Sequence, residues 1–144
     1  MSDAPEPIDW TVAIKDAILL DLDDVDDADV YSDVDPQRRF EGRTLIEVGL
    51  QSVDCQTFID GDFRRTFNYS IFIRAKEYAE AFERAWRLAS YTVKRFLTQK
   101  KTAGDLDSYI IQNVGVETDV IERTAGASFT GYLQFRIIEP IKPF

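Results

Sequence analysis

Histidine is absent from this 144-residue sequence, and cysteine and methionine occur once each. Without histidine there is no Ser-His-Asp or Cys-His catalysis, no His-ligated zinc and no ordinary general base near neutral pH. Cys55, standing alone, has no partner for an internal disulfide and points to a reducing compartment. The glycines are never spaced as GxG and no GxxxxGK(S/T) occurs, so the loops that cradle phosphates are missing. A run of eighteen apolar residues is missing too, which excludes a membrane-spanning helix. The first ten residues, MSDAPEPIDW, are acidic and carry two prolines, the opposite of a secretory leader. Paired carboxylates need no motif to act as acid and base, so composition leaves that chemistry open. The expectation is nonetheless a protein that is not an enzyme, with no catalytic residues, no metal and no cofactor.

What is present describes one soluble domain over residues 1–144. At this length a single core can bury about two-thirds of the unfolded surface. Hydrophobic residues at 44 % and charged residues at 30 % lie in the globular range. No internal repeat or low-complexity linker divides the chain.

The clearest periodicity lies in residues 76–100, KEYAEAFERAWRLASYTVKRFLTQK. Tyr78, Phe82, Ala85, Trp86, Ala89, Val93, Phe96 and Leu97 recur at steps of three and four, which predicts a helix with one apolar stripe. Glu80 with Arg84, and Glu83 with Arg87, stand at the i, i+4 spacing that supports an exposed face. Lys94, Arg95, Lys100 and Lys101 end the stretch with the sign its dipole prefers. Such a helix is roughly 36 Å long and can cross a four-stranded sheet. Phe82 and Trp86 are expected against that sheet, with Tyr91 more exposed than Trp86. No Ser, Thr, Asp or Asn precedes Glu77 to cap the start.

Residues 1–8 read as a loose N-terminus, after which Asp9 can cap a helix over 10–22. Trp10, Ile14, Ala17, Ile18 and Leu22 make its buried stripe. Val12, Leu19 and Leu20 widen that stripe, which fits either a deep groove in the same domain or a contact with another subunit. An acidic connector follows over 21–42. Its first part, residues 21–35, holds eight aspartates and no basic residue, a charge of −8 in a chain of −9. A solvated loop tacked down by Val25, Val30, Tyr31 and Val34 is one reading. A surface that faces a basic partner or lines a pore is another, with Asp24, Asp26 and Asp27 as its candidate residues. A calcium loop fits poorly, because Val25 and Ala28 fall where ligands belong and no glycine follows.

Asp35 and Pro36 make a turn. In RTLIEVGLQ, residues 43–51, Ile46, Val48 and Leu50 alternate with polar positions as in a half-buried strand. Asp60 and Gly61 then give the strongest hairpin signal in the chain, joining strands over 44–59 and 62–74. Phe67, Tyr69, Ile71 and Ile73 take one face. Phe72 interrupts the polar face opposite, as expected where that face is partly covered. At the tip, Phe58, Asp60 and Phe63 are candidate docking residues. The pairs Arg38–Arg39 and Arg64–Arg65 are candidates to take a neighbour's aspartates, or else are solvated surface pairs. Two more strands follow, SYIIQNVGVETDVIER with a bulge at Gly115 and SFTGYLQFRIIE, joined at Ala125 and Gly126. Phe129, Leu133, Phe135 and Ile137 are assigned to the core. The predicted fold is α+β in the order α-β-β-α-β-β, a four-stranded mainly antiparallel sheet with both helices on one face.

This organisation resembles tail terminator and minor capsid, or tail-completion, proteins of long-tailed bacteriophages. The resemblance is carried by the helix IDWTVAIKDAILLDL, the acidic connector ending VYSDVDPQ, the strand RTLIEVGLQ, and FNYSIFIRAKEYAEAFERAWRL running into the long helix, with a C-terminal hairpin. It spans nearly the whole chain but rests on order and length, with no invariant motif. It implies a structural subunit of a homo-oligomeric ring, typically of six copies, that caps the tail tube and meets the head connector. It also implies a place in the virion, and in the host cytoplasm during assembly, with DNA passing unbound and no membrane involved. The density of aspartates departs from the family pattern. The rival class is an acidic inhibitor that imitates nucleic acid, or another protein-binding module. It would spread negative charge over a whole face, whereas here the charge is confined to one connector.

Overall fold

The computed structural model describes residues 10–35, 37–93 and 128–139, together with the backbone of 110–116, 121–123 and 142–143. The fold is α+β. Helix α1 (Thr11–Asp21) leads into a short 3-10 turn (Asp27–Asp29) and a two-residue strand β1 (Val30–Tyr31). Strands β2 (Leu45–Thr57) and β3 (Asp62–Ala75) form the long hairpin, and helix α2 (Tyr78–Arg87) continues into a π-helical turn (Leu88–Thr92). Strands β4 (Ile110–Val116), β5 (Ile121–Arg123), β6 (Ser128–Ile138) and β7 (Lys142–Pro143) complete the described elements.

The four long strands lie in the order β2-β3-β6-β4, each antiparallel to its neighbour. The short β1 runs parallel to β2, Val30 beside Ile46, so the sheet is mixed and the predicted antiparallel order is corrected at that edge. The connector supplies this strand because β2 presents an open edge at Ile46 and Glu47 as the chain passes it. The hairpin turns where Asp60 and Gly61 predict. The Phe58 amide donates to the Asp62 carbonyl at 2.7 Å, and Gly61 sits at φ +91°, a left-handed conformation that costs a side chain dearly. The bulge predicted at Gly115 is present as a register shift between Asn113 and Gly115. The turn expected at Ala125 and Gly126, and the helix beyond Val93, lie outside the described residues.

One face of the sheet carries the main core. Val48, Ile71 and Leu133 line up across three strands, Tyr69 stacks on Phe135 at 5.6 Å, and α1 covers them with Ile14, Ala17 and Ile18. The stripe predicted for α1 is the one buried, from Trp10 to Leu22. Asp9 lies outside the described residues. The N-cap position belongs to Trp10, whose amide donates to the Tyr69 hydroxyl at 2.9 Å. A tertiary hydrogen bond thus satisfies one of the amides that the helix start leaves without an intrahelical acceptor. Val12 and Leu20 are exposed, so the deep-groove reading of α1 fails for them.

Helix α2 buries its predicted stripe at Ala85, Ala89 and Val93 but not along the aromatic edge. Its buried residues are Ala81, Ala85, Leu88, Ala89, Thr92 and Val93, while Trp86 is 44 % exposed and Phe82 only half-buried. The cause is Gly131 on β6, directly beneath the helix. A Cβ there would overlap the Ala81 carbonyl oxygen and stand 3.2 Å from the Ala85 Cβ. Alanines facing a glycine let the helix backbone press against the sheet. Burying the aromatic stripe would hold it farther away and forfeit that close packing.

The second face is partly covered, as Phe72 suggested. Residues 33–35 and 37–40 lie over it, with Val34 packed over Gly49 and Phe40 buried beside the Arg74 guanidinium. Arg74 is fully buried, donating to the Arg38 carbonyl and to the Ser128 hydroxyl at 3.3 Å. Glu47 on β2 is buried as well, accepting 2.7 Å from Arg38 Nη1 and 2.9 Å from the Asp35 amide.

Candidate functional site

The rotation of α2 leaves its aromatic stripe on the surface. Tyr78 stacks on Phe82 at 6.4 Å, and Phe82 meets Trp86 edge-on at 6.2 Å, so the three rings form a ladder along the helix. Tyr91, in the π-helical turn, is 67 % exposed and thus more open than Trp86, as predicted. Beside this ladder an open cleft of about 850 Å³ separates α2 from the start of the acidic connector. Asp21, Asp23 and Asp24 form one wall, and Glu80 and Glu83 with Arg84 and Arg87 form the other. Arg84 bridges the walls, with Nη1 at 3.0 Å and Nη2 at 2.5 Å from the two oxygens of Asp24 and Nε at 3.2 Å from Glu80.

Because the aromatic stripe faces out, Trp86→Ala is expected to cost about 1 kcal/mol, the worth of its ring contact and residual burial. A tryptophan packed in the core would instead cost roughly 3–5 kcal/mol. Urea unfolding of the variant distinguishes the two, and a loss in the upper range would restore the original stripe.

The Arg84 hydrogen bond is the main cause that holds the Asp24 carboxyl below its ordinary value of 3.8. A lowered carboxyl stabilises the fold above its unfolded pKa, and that contribution is lost as pH falls through the lowered value. The Asp24 side chain is 61 % exposed, so the effect is small and screened by salt. Carbon-detected NMR titration should find Asp24 titrating below 3.8 and returning toward it in Arg84→Gln. An unchanged midpoint in that variant would remove Arg84 as the cause.

The acidic run is docked more than composition implied. Asp24 pairs with Arg84, Asp27 with Lys15 at 3.2 Å, Asp29 with Arg43 at 3.2 Å and Asp33 with Arg38 at 2.9 Å. Val25 and Val30 are buried beneath it, as the tacked-down reading requires. Among the described residues no group of three or more His, Cys, Asp or Glu side chains is placed to hold a metal ion.

The residues singled out from the sequence therefore divide. Asp26 and Arg39 are exposed, and Asp60 accepts from the Asp62 amide in the turn. Arg64 reaches Gln56 at 2.9 Å and lies over the half-buried Phe58 ring. Phe63 is 2 % exposed and Arg65 is buried, which corrects their expected presentation at a projecting tip. Arg65 instead binds Glu139 through two guanidinium nitrogens, Nε and Nη2. Arg38 is likewise a structural group, sandwiched between Glu47 and the Tyr31 ring. Sequence reasoning missed Tyr78 and Trp86 as surface residues, because both stand on the stripe assigned to the core. The signal was there in the alanine stripe, Ala81 with Ala85 and Ala89, which shares the helical period with the aromatics.

The hairpin supplies a second exposed feature. Beyond Glu47 no described strand pairs with the outer side of β2, and from Leu50 to Thr57 every side chain except Val53 is exposed. At the turn Ile59 is fully exposed. No helix among the described residues is long and apolar enough to cross a membrane.

No protein-family model matches the chain, and no curated protein matches it.

Proposed function

We propose that the chain is a non-enzymatic structural subunit of a long-tailed bacteriophage, a tail-completion or terminator protein that acts as a ring between tail tube and head connector. The observation that carries this reading is the hairpin. On its outer side, away from β3, the limb over 50–57 presents a backbone edge that no described strand pairs, and its tip offers an apolar side chain, Ile59, to water. Open strand edges and exposed apolar tips are the usual means by which one chain recruits another. The ring is homo-oligomeric, typically of six copies, and heterologous contacts close it. DNA passes through without being bound. The acidic-mimic reading is weakened by the four aspartates already paired to cations of their own chain.

The test combines sedimentation velocity with negative-stain microscopy, on the chain alone and with purified tail tubes. Rings, or tubes capped at one end, are expected. Ile59→Ser should stay folded and lose the capping. Bare tube ends with the unaltered chain, which also sediments as a monomer, would overturn the proposal.

A further inference from the structure

We infer that the groove between α2 and the acidic connector is the acceptor half of a contact between copies of this chain, and that it receives the cationic segment 94–101 of the neighbouring copy. The inference rests on the ring reading above and names the chemistry that closes the ring. Trp86 and Tyr91 give the groove exposed aromatic rings, the residue types that most often anchor protein interfaces. Five carboxylates line it against two guanidinium groups, and one of those, Arg84, is already engaged by Asp24 and Glu80. The fitting occupant is therefore positive and carries apolar side chains.

Within this sequence one segment has that character. Residues 94–101, KRFLTQKK, hold four cations and no acid, with Phe96 and Leu97 between them. Two other basic candidates are committed inside the fold, Arg38 to Glu47 and Arg65 to Glu139. Cations laid over exposed indole and phenol rings gain cation–π attraction, and opposite charges steer the encounter. Groove and segment are different stretches of the chain, so a head-to-tail repeat of this contact closes a ring where the rotation between copies allows it.

The experiment uses two charge-reversed chains. Asp23→Lys/Glu83→Lys changes two exposed groove side chains, and Lys100→Glu/Lys101→Glu changes the segment. Each alone should weaken self-association about tenfold or more in sedimentation equilibrium. An equimolar mixture should recover it, since an alternating ring then has every contact matched. Trp86→Ala should weaken association without a charge change, and circular dichroism checks that each chain is folded. If the single variants assemble as the unaltered chain does, the groove assignment falls and the ring reading stands. If each variant fails alone and the mixture does not recover, the segment is not the occupant, and a partner protein or the same copy's own chain fills the groove. If the unaltered chain forms no assembly, alone or on tail tubes, both readings fall together.

Discussion

Replacing Glu139 with alanine is expected to cost about 3–5 kcal/mol, a large share of the stability of a domain of this size. Glu139 is fully buried at the end of β6, and its carboxylate takes Arg65 Nε at 3.1 Å and Nη2 at 2.9 Å. Its amide also donates to the Arg65 carbonyl at 2.9 Å, so backbone and side chain together tie the outer half of the hairpin to the last long strand. Removing the carboxylate leaves a guanidinium between the Phe63 and Phe67 rings, away from water and without its counter-ion. Removing both charges is a different matter. Arg65→Met/Glu139→Leu replaces the pair by apolar groups of similar reach and is expected to fall within about 2 kcal/mol of the parent, on either side. Urea unfolding of the single and double variants measures the difference. A single variant that loses less than about 1 kcal/mol would mean water reaches Arg65 and the pair is not a buried one.

The second large effect is expected at Gly131. Valine favours strands and glycine weakens them, so at an open strand position Gly→Val stabilises. Here the sign reverses. The added Cβ meets the Ala81 backbone, its carbonyl carbon 3.0 Å away, and a helix backbone cannot rotate aside as a side chain can. Gly131→Val should therefore lose about 3 kcal/mol, with Gly131→Ala losing less in the same direction. Ala85→Gly added to Gly131→Ala should recover little, because the closest obstruction is the carbonyl of Ala81 and not the Ala85 methyl. Thermal unfolding decides it. A melting temperature that rises in Gly131→Ala would show that α2 rides farther from the sheet than these contacts imply.

These two sites mark the boundary between what was legible in the residues and what was not. The hairpin was legible because its turn is a local matter. Asp60 and Gly61 set the backbone dihedrals where the strands must reverse, and the alternation of Phe67, Tyr69, Ile71 and Ile73 fixes which face goes inward. The stripe of α1 was legible for the same reason, since Ile14, Ala17 and Ile18 stand on one face at any helical geometry. On α2 two stripes share one period, the aromatics through Trp86 and the alanines through Ala85. The sequence groups both as one apolar face, and only the glycine on β6 turns the alanine side inward and leaves the aromatic side out. The candidate groove was hidden by that same choice, because its aromatic wall was assigned to the core.

By itself the sequence determined the class of fold, the positions of α1 and of the long strands β2, β3 and β6, the hairpin turn and the concentration of negative charge in one connector. Each of these depends on residues a few positions apart, through backbone dihedrals and the repeat of apolar side chains. Tertiary structure decided which face of α2 meets the sheet, that the aspartates of the connector are held by Lys15, Arg38, Arg43 and Arg84, and that Arg65 lies inside against a glutamate 74 residues away. Those outcomes rest on close packing and charge pairing between distant segments. Such contacts exist only once the chain has folded, and the steric limit at one glycine or the burial of one carboxylate then outweighs the local pattern.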